Sequence, residues 1–327
     1  MKYLVLGSNS FSGASFCNFL LEKNIEVIAA SRSDELPDIF LPYKWQDKKQ
    51  LQFFKCDINK DVEVLSKILR EEKPTHIVNY AAQSMVAQSW DNPEDWFQTN
   101  TIGLLSLLKC LTNYSGLEHY LHVTTPEVYG STKVKIREND HYKPNTPYAI
   151  SRAAGDMIIN RYAEHYSLPA SLTRAANVFG AGQQLYRIVP ITIMKCLLGE
   201  KLTLDGGGKS KRSFIHINDV NRANLLISQN KANSETYHIS NEQLISVRDC
   251  VSIIIQKLNL EFDDVVIEGP ERPGKDDVYD LSSKKLRDYF NWMPEVAFED
   301  GIEEVISWVK KNLENLKTME LGYVHKK

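Results

Sequence analysis

Tyr148 and Arg152 stand four residues apart in Pro147-Tyr148-Ala149-Ile150-Ser151-Arg152, where a helical pattern begins. Positions i and i+4 share a helix face, so the two side chains point the same way. A fixed positive charge beside a phenol favours the phenolate and lowers its pKa. Tyr148 is thus equipped to take a proton from a hydroxyl group while hydride leaves the carbon that carries it. A second polar run, Thr124-Thr125-Pro126-Glu127-Val128-Tyr129-Gly130, follows an apolar stretch and sets a hydroxyl two residues before a carboxylate.

Near the N-terminus, Gly7-Ser8-Asn9-Ser10-Phe11-Ser12-Gly13 joins an apolar run to a helical one. A tight turn in that context brings backbone N–H groups and a helix N-terminus against a pyrophosphate. Gly7 permits the turn and Gly13 permits close helix–strand packing, while Ser10 stands where a middle glycine is usual. The run predicts a dinucleotide site built on Gly7, Ser10, Phe11, Ser12 and Gly13. The carboxylate that ordinarily ends the next strand and binds the adenosine ribose is missing, and Ala30-Ser31-Arg32-Ser33 stands there. Arginine flanked by serines suits a ribose 2′-phosphate, so Ser31 and Arg32 favour NADP, with NAD as the alternative. Asp57, followed by Ile58, is placed to accept a bond from the adenine amino group.

These residues need a scaffold of alternating strands and helices. Strands are expected at Tyr3–Leu6, Glu26–Ala30, Phe53–Cys56, Thr75–Asn79, Tyr120–Thr124 and from Ser171. Helices are expected at Ser12–Glu22, Val62–Glu72, Trp96–Tyr114 and Tyr148–His165. The alternation predicts an α/β fold of Rossmann type, a doubly wound parallel sheet with helices on both faces. Beyond residue 180 the pattern loosens around Gly206-Gly207-Gly208 and Gly269-Pro270, as expected of a smaller substrate-binding cap. The division expected is 1–178 for the dinucleotide half, completed by parts of 213–245, and 179–327 mainly for the cap. The tail from Met319 to Lys327 is expected to be poorly ordered.

Taken in order, these segments resemble the extended short-chain dehydrogenases, and among them the nucleotide-sugar 4,6-dehydratases. The resemblance runs through the glycine turn, Asn79-Tyr80-Ala81-Ala82-Gln83-Ser84, Thr99-Asn100-Thr101-Ile102-Gly103, the two polar runs above, Arg174-Ala175-Ala176-Asn177-Val178-Phe179-Gly180, Arg212-Ser213-Phe214-Ile215-His216 and Glu271-Arg272-Pro273-Gly274-Lys275-Asp276. It implies that Tyr148 is the catalytic tyrosine, that Thr125 orients the sugar 4-hydroxyl, and that Glu127 removes the carbon 5 proton. It implies further that Ala81 and Ala82 line the cofactor, and that Gln83, Ser84, Asn177, Arg187, Arg212 and Arg272 hold a nucleotide diphosphate sugar. Two departures stand out. Arg152 replaces the family lysine, keeping the charge but changing its shape. Pro126 replaces the aspartic acid found before the glutamate in glucose dehydratases; the GDP-mannose dehydratases likewise lack that aspartate and still eliminate water. A carboxylate at position 127 favours dehydration over 4-epimerisation or 4-oxidoreduction, the alternatives on this scaffold. A binder without turnover is less favoured, because Thr125, Glu127 and Tyr148 are all present. Related enzymes pair the helix after the fourth strand with the tyrosine helix, so a homodimer is expected, with Ile102, Leu105, Leu108 and Leu111 apolar at helical spacing.

The bulk composition sets outer limits. The 327 residues carry a formal charge of −3, and 43% are hydrophobic. No basic field marks nucleic acid as a partner. The five cysteines form no CxxC pair and read as small buried hydrophobes of a reducing cytoplasm. The first residues read as a strand and not as a leader peptide, and no apolar run reaches the length of a membrane span. The histidines lack ligand spacing, so no metal is expected.

Overall fold

A computed structural model of the chain describes residues 1–45, 51–131, 134–139, 141–230, 235–270 and 278–326. Arg272 and the surrounding Glu271–Asp276 run therefore lie outside the described residues. The strands are β1 (Lys2–Leu6), β2 (Glu26–Ser31), β3 (Gln52–Lys55), β4 (His76–Asn79), β5 (His119–Val123), β6 (Ala170–Ala175), β7 (Asn177–Phe179), β8 (Leu202–Asp205), β9 (Lys211–His216), β10 (Glu235–Ile239), β11 (Leu244–Ser246), β12 (Val266–Gly269) and β13 (Val278–Tyr279). The helices are α1 (Phe11–Glu22), α2 (Val62–Glu72), α3 (Pro93–Phe97), α4 (Leu104–Thr112), α5 (Pro147–Tyr166), α6 (Ile188–Leu198), α7 (Ile217–Gln229), α8 (Val247–Lys257), α9 (Phe262–Val265), α10 (Lys284–Phe290) and α11 (Phe298–Leu316).

Seven strands form one sheet in the order β10-β6-β5-β4-β1-β2-β3. Every neighbouring pair is parallel, which is why the central strands are apolar on both faces. On one face α1 and α7 pack around Tyr3, Val5, Phe16, Leu20, Val220 and Tyr237. On the other, α2, α4 and α5 cover Leu4, Leu6, Ile77, Leu107, Tyr120 and Ile159. The architecture is the Rossmann-type α/β fold expected, and β10 brings a strand from far along the chain to its edge. Beyond the sheet, α6, α8 and α11 pack around Phe179, Ile193, Ile254 and Val305. The short strands β7, β9, β11 and β13 line up beside them.

The expected helix over Trp96–Tyr114 is not continuous. It starts as α3 at Pro93, widens into a π-helical turn over Gln98–Gly103, and resumes as α4. The wide turn resets the helical phase. Leu108 and Leu111 are buried, whereas Ile102 is 49% exposed, because residues three apart drift around a helix by about 60° per step. The four residues do not form one outward stripe.

The buried polar clamp between α5 and β6 fixes how the tyrosine helix meets the sheet. Arg174 on β6 and Asp156 on α5, both fully buried, pair at 2.8 Å. The Arg174 guanidinium also donates to the Tyr142 hydroxyl at 2.6 Å and to the Tyr129 hydroxyl, which is bonded to His238 on β10 at 2.8 Å. Removing one member leaves the other charge buried without its partner, the costly case for internal ion pairs. Asp156→Ala is expected to lower unfolding stability by about 3–5 kcal/mol in a urea titration. Adding Arg174→Met should restore much of the loss; a wild-type urea midpoint for Asp156→Ala would show that the pair carries no such weight.

Candidate functional site

The glycine turn leaves β1 where no side chain would fit. Gly7 has φ +78°, and a Cβ there would lie 2.6 Å from the Ala81 backbone nitrogen. A Cβ on Gly13 would lie 2.4 Å from the Gly7 carbonyl oxygen, so α1 starts tight against the turn. Ser10 caps α1, its hydroxyl accepting from the Gly13 N–H at 3.0 Å. That bond is a positive use for the serine that stands in place of a middle glycine. Phe11 is buried beneath the turn and Ser12 is half-buried above it. This bare backbone, opening a helix at the carboxyl end of the central strand, has the form that receives a pyrophosphate.

Asn9, which sequence reasoning passed over, ties the turn to the loop after β2. Its side chain donates to the Ser33 carbonyl at 3.2 Å and the Asp34 carbonyl at 2.9 Å. Its N–H donates to the Ser31 hydroxyl at 2.9 Å. Arg32 donates from Nη2 to the Lys326 carbonyl at 2.9 Å. Asp57 spends one carboxylate oxygen on the Asn59 N–H at 2.9 Å, and Ile58 is buried beside it. Ala81 lies against Gly7, its N–H held by the Asn79 side chain at 2.9 Å, and Ala82 follows half-buried.

On the β5 side, Thr125 caps a short 3-10 turn over Pro126–Tyr129, its hydroxyl accepting from the Glu127 N–H at 3.2 Å. That turn carries Glu127 toward the first turn of α5. The Thr125 side chain and the charges of Arg152, Glu127 and Arg187 all act on the Tyr148 phenol. Burial raises the Tyr148 pKa above that of a free phenol. Arg152 is the strongest influence in the opposite direction, Glu127 adds to the rise, and the Thr125 side chain and Arg187 oppose it. The lowering expected from Arg152 is therefore present but outweighed by burial. Arg152, 4% exposed, anchors one guanidinium nitrogen on the Val123 carbonyl, while its Nε meets no protein acceptor. A buried donor left over beside the phenol fits a hydroxyl of a bound ribose.

Asn100 is a second residue that sequence reasoning quoted only as part of a motif. It lies in the π-helical turn and exchanges two bonds with the Gln83 backbone, 2.9 and 3.0 Å. Its Nδ2 also donates to the Ser151 hydroxyl at 3.0 Å, and that hydroxyl donates to the Tyr148 carbonyl at 2.8 Å. Gln83 is thereby buried at the cleft with its side chain on the Lys326 carbonyl at 2.7 Å, while Ser84 is exposed.

The remaining expected contacts spread over the facing segments. Arg187 immediately precedes α6, lies over the Tyr186 ring at 5.4 Å, and is near enough to act on Tyr148. Asn177 is exposed on β7, which pairs with β9. Arg212 lies on β9 and donates to the Lys211 carbonyl at 2.8 Å. His216 is 1% exposed, packs on Phe179, and has its Nε2 3.2 Å from Glu304.

The family model for GDP-mannose 4,6 dehydratase matches residues 4–305. The chain belongs to that family. The match covers the glycine turn, the segments around Tyr148 and the first part of α11, so the sheet and the candidate site fall within it. A dTDP-glucose 4,6-dehydratase of Xanthomonas campestris is 29% identical, with 95% of this chain and 93% of that one covered. Among solved structures, a double mutant of the dTDP-glucose 4,6-dehydratase of Streptomyces venezuelae, with NAD bound, is similar at a TM-score of 0.90. It is 28% identical, over 98% of this chain and all of the other. A UDP-glucose 4-epimerase of Thermotoga maritima, with UDP-glucose, is similar at a TM-score of 0.87 and 26% identity, over 96% of this chain. This member of the dehydratase family thus shares its backbone with dehydratases and an epimerase alike. The side chains around Tyr148 are what can distinguish them.

The electrostatics yield a prediction with a definite sign. Arg152→Met removes the strongest influence lowering the Tyr148 pKa, so the rising limb of turnover against pH should move to higher pH and neutral-pH turnover should fall. Arg152→Lys should keep the limb near its wild-type position. A pH–rate profile in which Arg152→Met leaves the limb in place would remove Arg152 from this role.

Proposed function

We propose that the protein is a nicotinamide-dependent nucleotide-sugar 4,6-dehydratase, converting a nucleoside diphosphate hexose to its 4-keto-6-deoxy form. The observation that carries the reading is Glu127 beside the Thr125–Tyr148 pair. Oxidation at carbon 4 needs a base for a hydroxyl, and elimination needs a second base for carbon 5. Tyr148 and Glu127, close enough to act on each other, supply the two.

In this mechanism Thr125 orients the 4-hydroxyl toward Tyr148, which takes its proton as hydride leaves carbon 4. A nicotinamide dinucleotide would supply the hydride acceptor for carbon 4 and the hydride donor for carbon 6. The resulting 4-keto group acidifies carbon 5. Glu127 removes the carbon 5 proton and delivers it to the departing carbon 6 hydroxyl, so water leaves. One carboxyl group performs both transfers here, because Pro126 offers no acid. The proton taken from the 4-hydroxyl balances the one taken up at carbon 5 when hydride reaches carbon 6. Arg152 would hold the nicotinamide ribose, and Gly7, Ser10, Ser12 and Gly13 the pyrophosphate. Gln83, Ser84, Asn177, Arg187, Arg212 and Arg272 would hold the nucleotide diphosphate sugar.

Glu127→Gln is expected to cut dehydration by about 100- to 10,000-fold, the usual contribution of a positioned acid–base group. Hydride abstraction at carbon 4 should survive, so reduced cofactor should accumulate on mixing with substrate, seen by absorbance. Mass spectrometry of products from dTDP-, GDP-, UDP- and CDP-hexoses reads the loss of water directly. Wild-type dehydration by Glu127→Gln, or a product that retains water, would move the protein to the epimerase or oxidoreductase class.

For the cofactor we favour NADP, because β2 ends at Ser31 without a carboxylate and Arg32 follows it; the Streptomyces relative holds NAD. Dinucleotide released on denaturation should be NADP, and Arg32→Ala should weaken NADPH more than NADH. Recovery of NAD alone, with no effect of Arg32→Ala, would reverse the assignment. We also propose a homodimer through the outer faces of the π-helical turn and α5, where Ile102, Ile150 and Met157 are 49%, 43% and 51% exposed. Light scattering at micromolar concentration should return twice the chain mass.

A further inference from the structure

The segment after α11 was expected to be loose, yet it is docked. Met319 closes the helix by a bond from its N–H to the Leu316 carbonyl, and the chain then runs without helix to Lys326. Burial alternates along it: Met319, Leu321, Tyr323 and His325 are half-buried, and Glu320, Gly322, Val324 and Lys326 exposed. That period of two belongs to an extended strip with one face against the protein.

The strip touches both sides of the cleft. Met319 and Leu321 pack on the core that contains Phe179 and Trp308. The Tyr323 ring meets Tyr186 edge-on at 5.3 Å. His325 stacks on Trp96 at 5.0 Å, nearly parallel, and its Nε2 lies 2.7 Å from Asp95. The Lys326 carbonyl then accepts from both Arg32 Nη2 and Gln83 Nε2, at 2.9 and 2.7 Å. Arg32 follows β2 and Gln83 follows β4, and β1 lies between those strands. One oxygen bonded from both sides therefore spans the carboxyl end of β1, where the Gly7–Gly13 turn begins.

We propose that residues 319–326 form a lid over the dinucleotide site, latched by His325 on Asp95 and Trp96 and closed by Arg32 and Gln83 on the Lys326 carbonyl. A dinucleotide entering or leaving must part those bonds, so the lid slows both passages. An enzyme that reduces and reoxidises its own cofactor within one cycle benefits from a site that keeps it. The inference rests on the dinucleotide reading given above.

The test uses the whole chain loaded with NADPH and chased with excess NADP, with release followed by nicotinamide fluorescence. A chain ending at Gly322 keeps α11 and its core contacts but loses the latch and the closing carbonyl. It should release NADPH about ten-fold or more faster, the effect of losing a hydrogen bond to a charged group. Association should quicken as well. Asp95→Asn and His325→Ala should lie between wild type and the truncated chain, with unchanged melting temperature. Unchanged release in a truncated chain that still binds NADPH overturns the lid and leaves the dinucleotide reading standing. Faster association with unchanged release also overturns it, since the tail would then merely compete for the site. A full-length chain that binds neither NADPH nor NADH overturns both readings.

Discussion

The side-chain amide of Asn100 holds three parts of the cleft in one arrangement. Its oxygen and nitrogen are both engaged by the Gln83 backbone, and its nitrogen reaches on to Ser151, whose hydroxyl is bonded to the Tyr148 carbonyl. The loop after β4, the π-helical turn and the first turn of α5 are thus set against each other by one planar group. This approach needs an absence of side chain opposite: a Cβ on Gly155 would lie 2.8 Å from the Asn100 carbonyl. A network of buried polar groups that is satisfied in only one geometry is stiff. That stiffness holds Tyr148, on α5, in a fixed place for the Thr125–Glu127 turn that follows β5.

The charge around Tyr148 is balanced more finely than a motif conveys. Burial works against ionisation, and Glu127 adds to that resistance. Arg152 and Arg187 oppose it from two sides. Because Arg152 also leans on the Val123 carbonyl, its guanidinium is anchored to β5 while its Nε stays available. A lysine in the same place would offer one compact charge; the arginine divides structural and ligand-facing bonds among separate nitrogens.

Much of the scaffold was legible in the sequence because parallel strands are apolar on both faces and helices repeat every few residues. The helix Val62–Glu72 lies where its periodicity put it, and the glycine turn lies at the end of the first strand. Residues near Tyr148 were legible for a different reason, since Thr125, Glu127 and Arg152 are within a few positions of strand or helix ends. What periodicity could not convey was the π-helical turn, whose extra residue shifts the phase without leaving any compositional mark. Asn9 and Asn100 escaped notice because their work is done on backbone groups distant in sequence. The docked tail escaped because its anchors, Arg32, Gln83, Asp95 and Tyr186, lie on segments far upstream.

The position of β10 bears on how the chain comes into being. Among the described residues, the outer edge of β6 is covered by Glu235–Ile239, through five parallel pairings from Ser171 to Ala175. A growing polypeptide therefore completes β1 through β6 long before the strand that finishes the sheet has been synthesised. Until then β6 presents unpaired backbone groups, a template for unwanted strand addition. The same arrangement ties the segments from Asn177 to Gln229 into the sheet at both ends, so nascent β7, β9, α6 and α7 are confined near the cleft as soon as β10 docks.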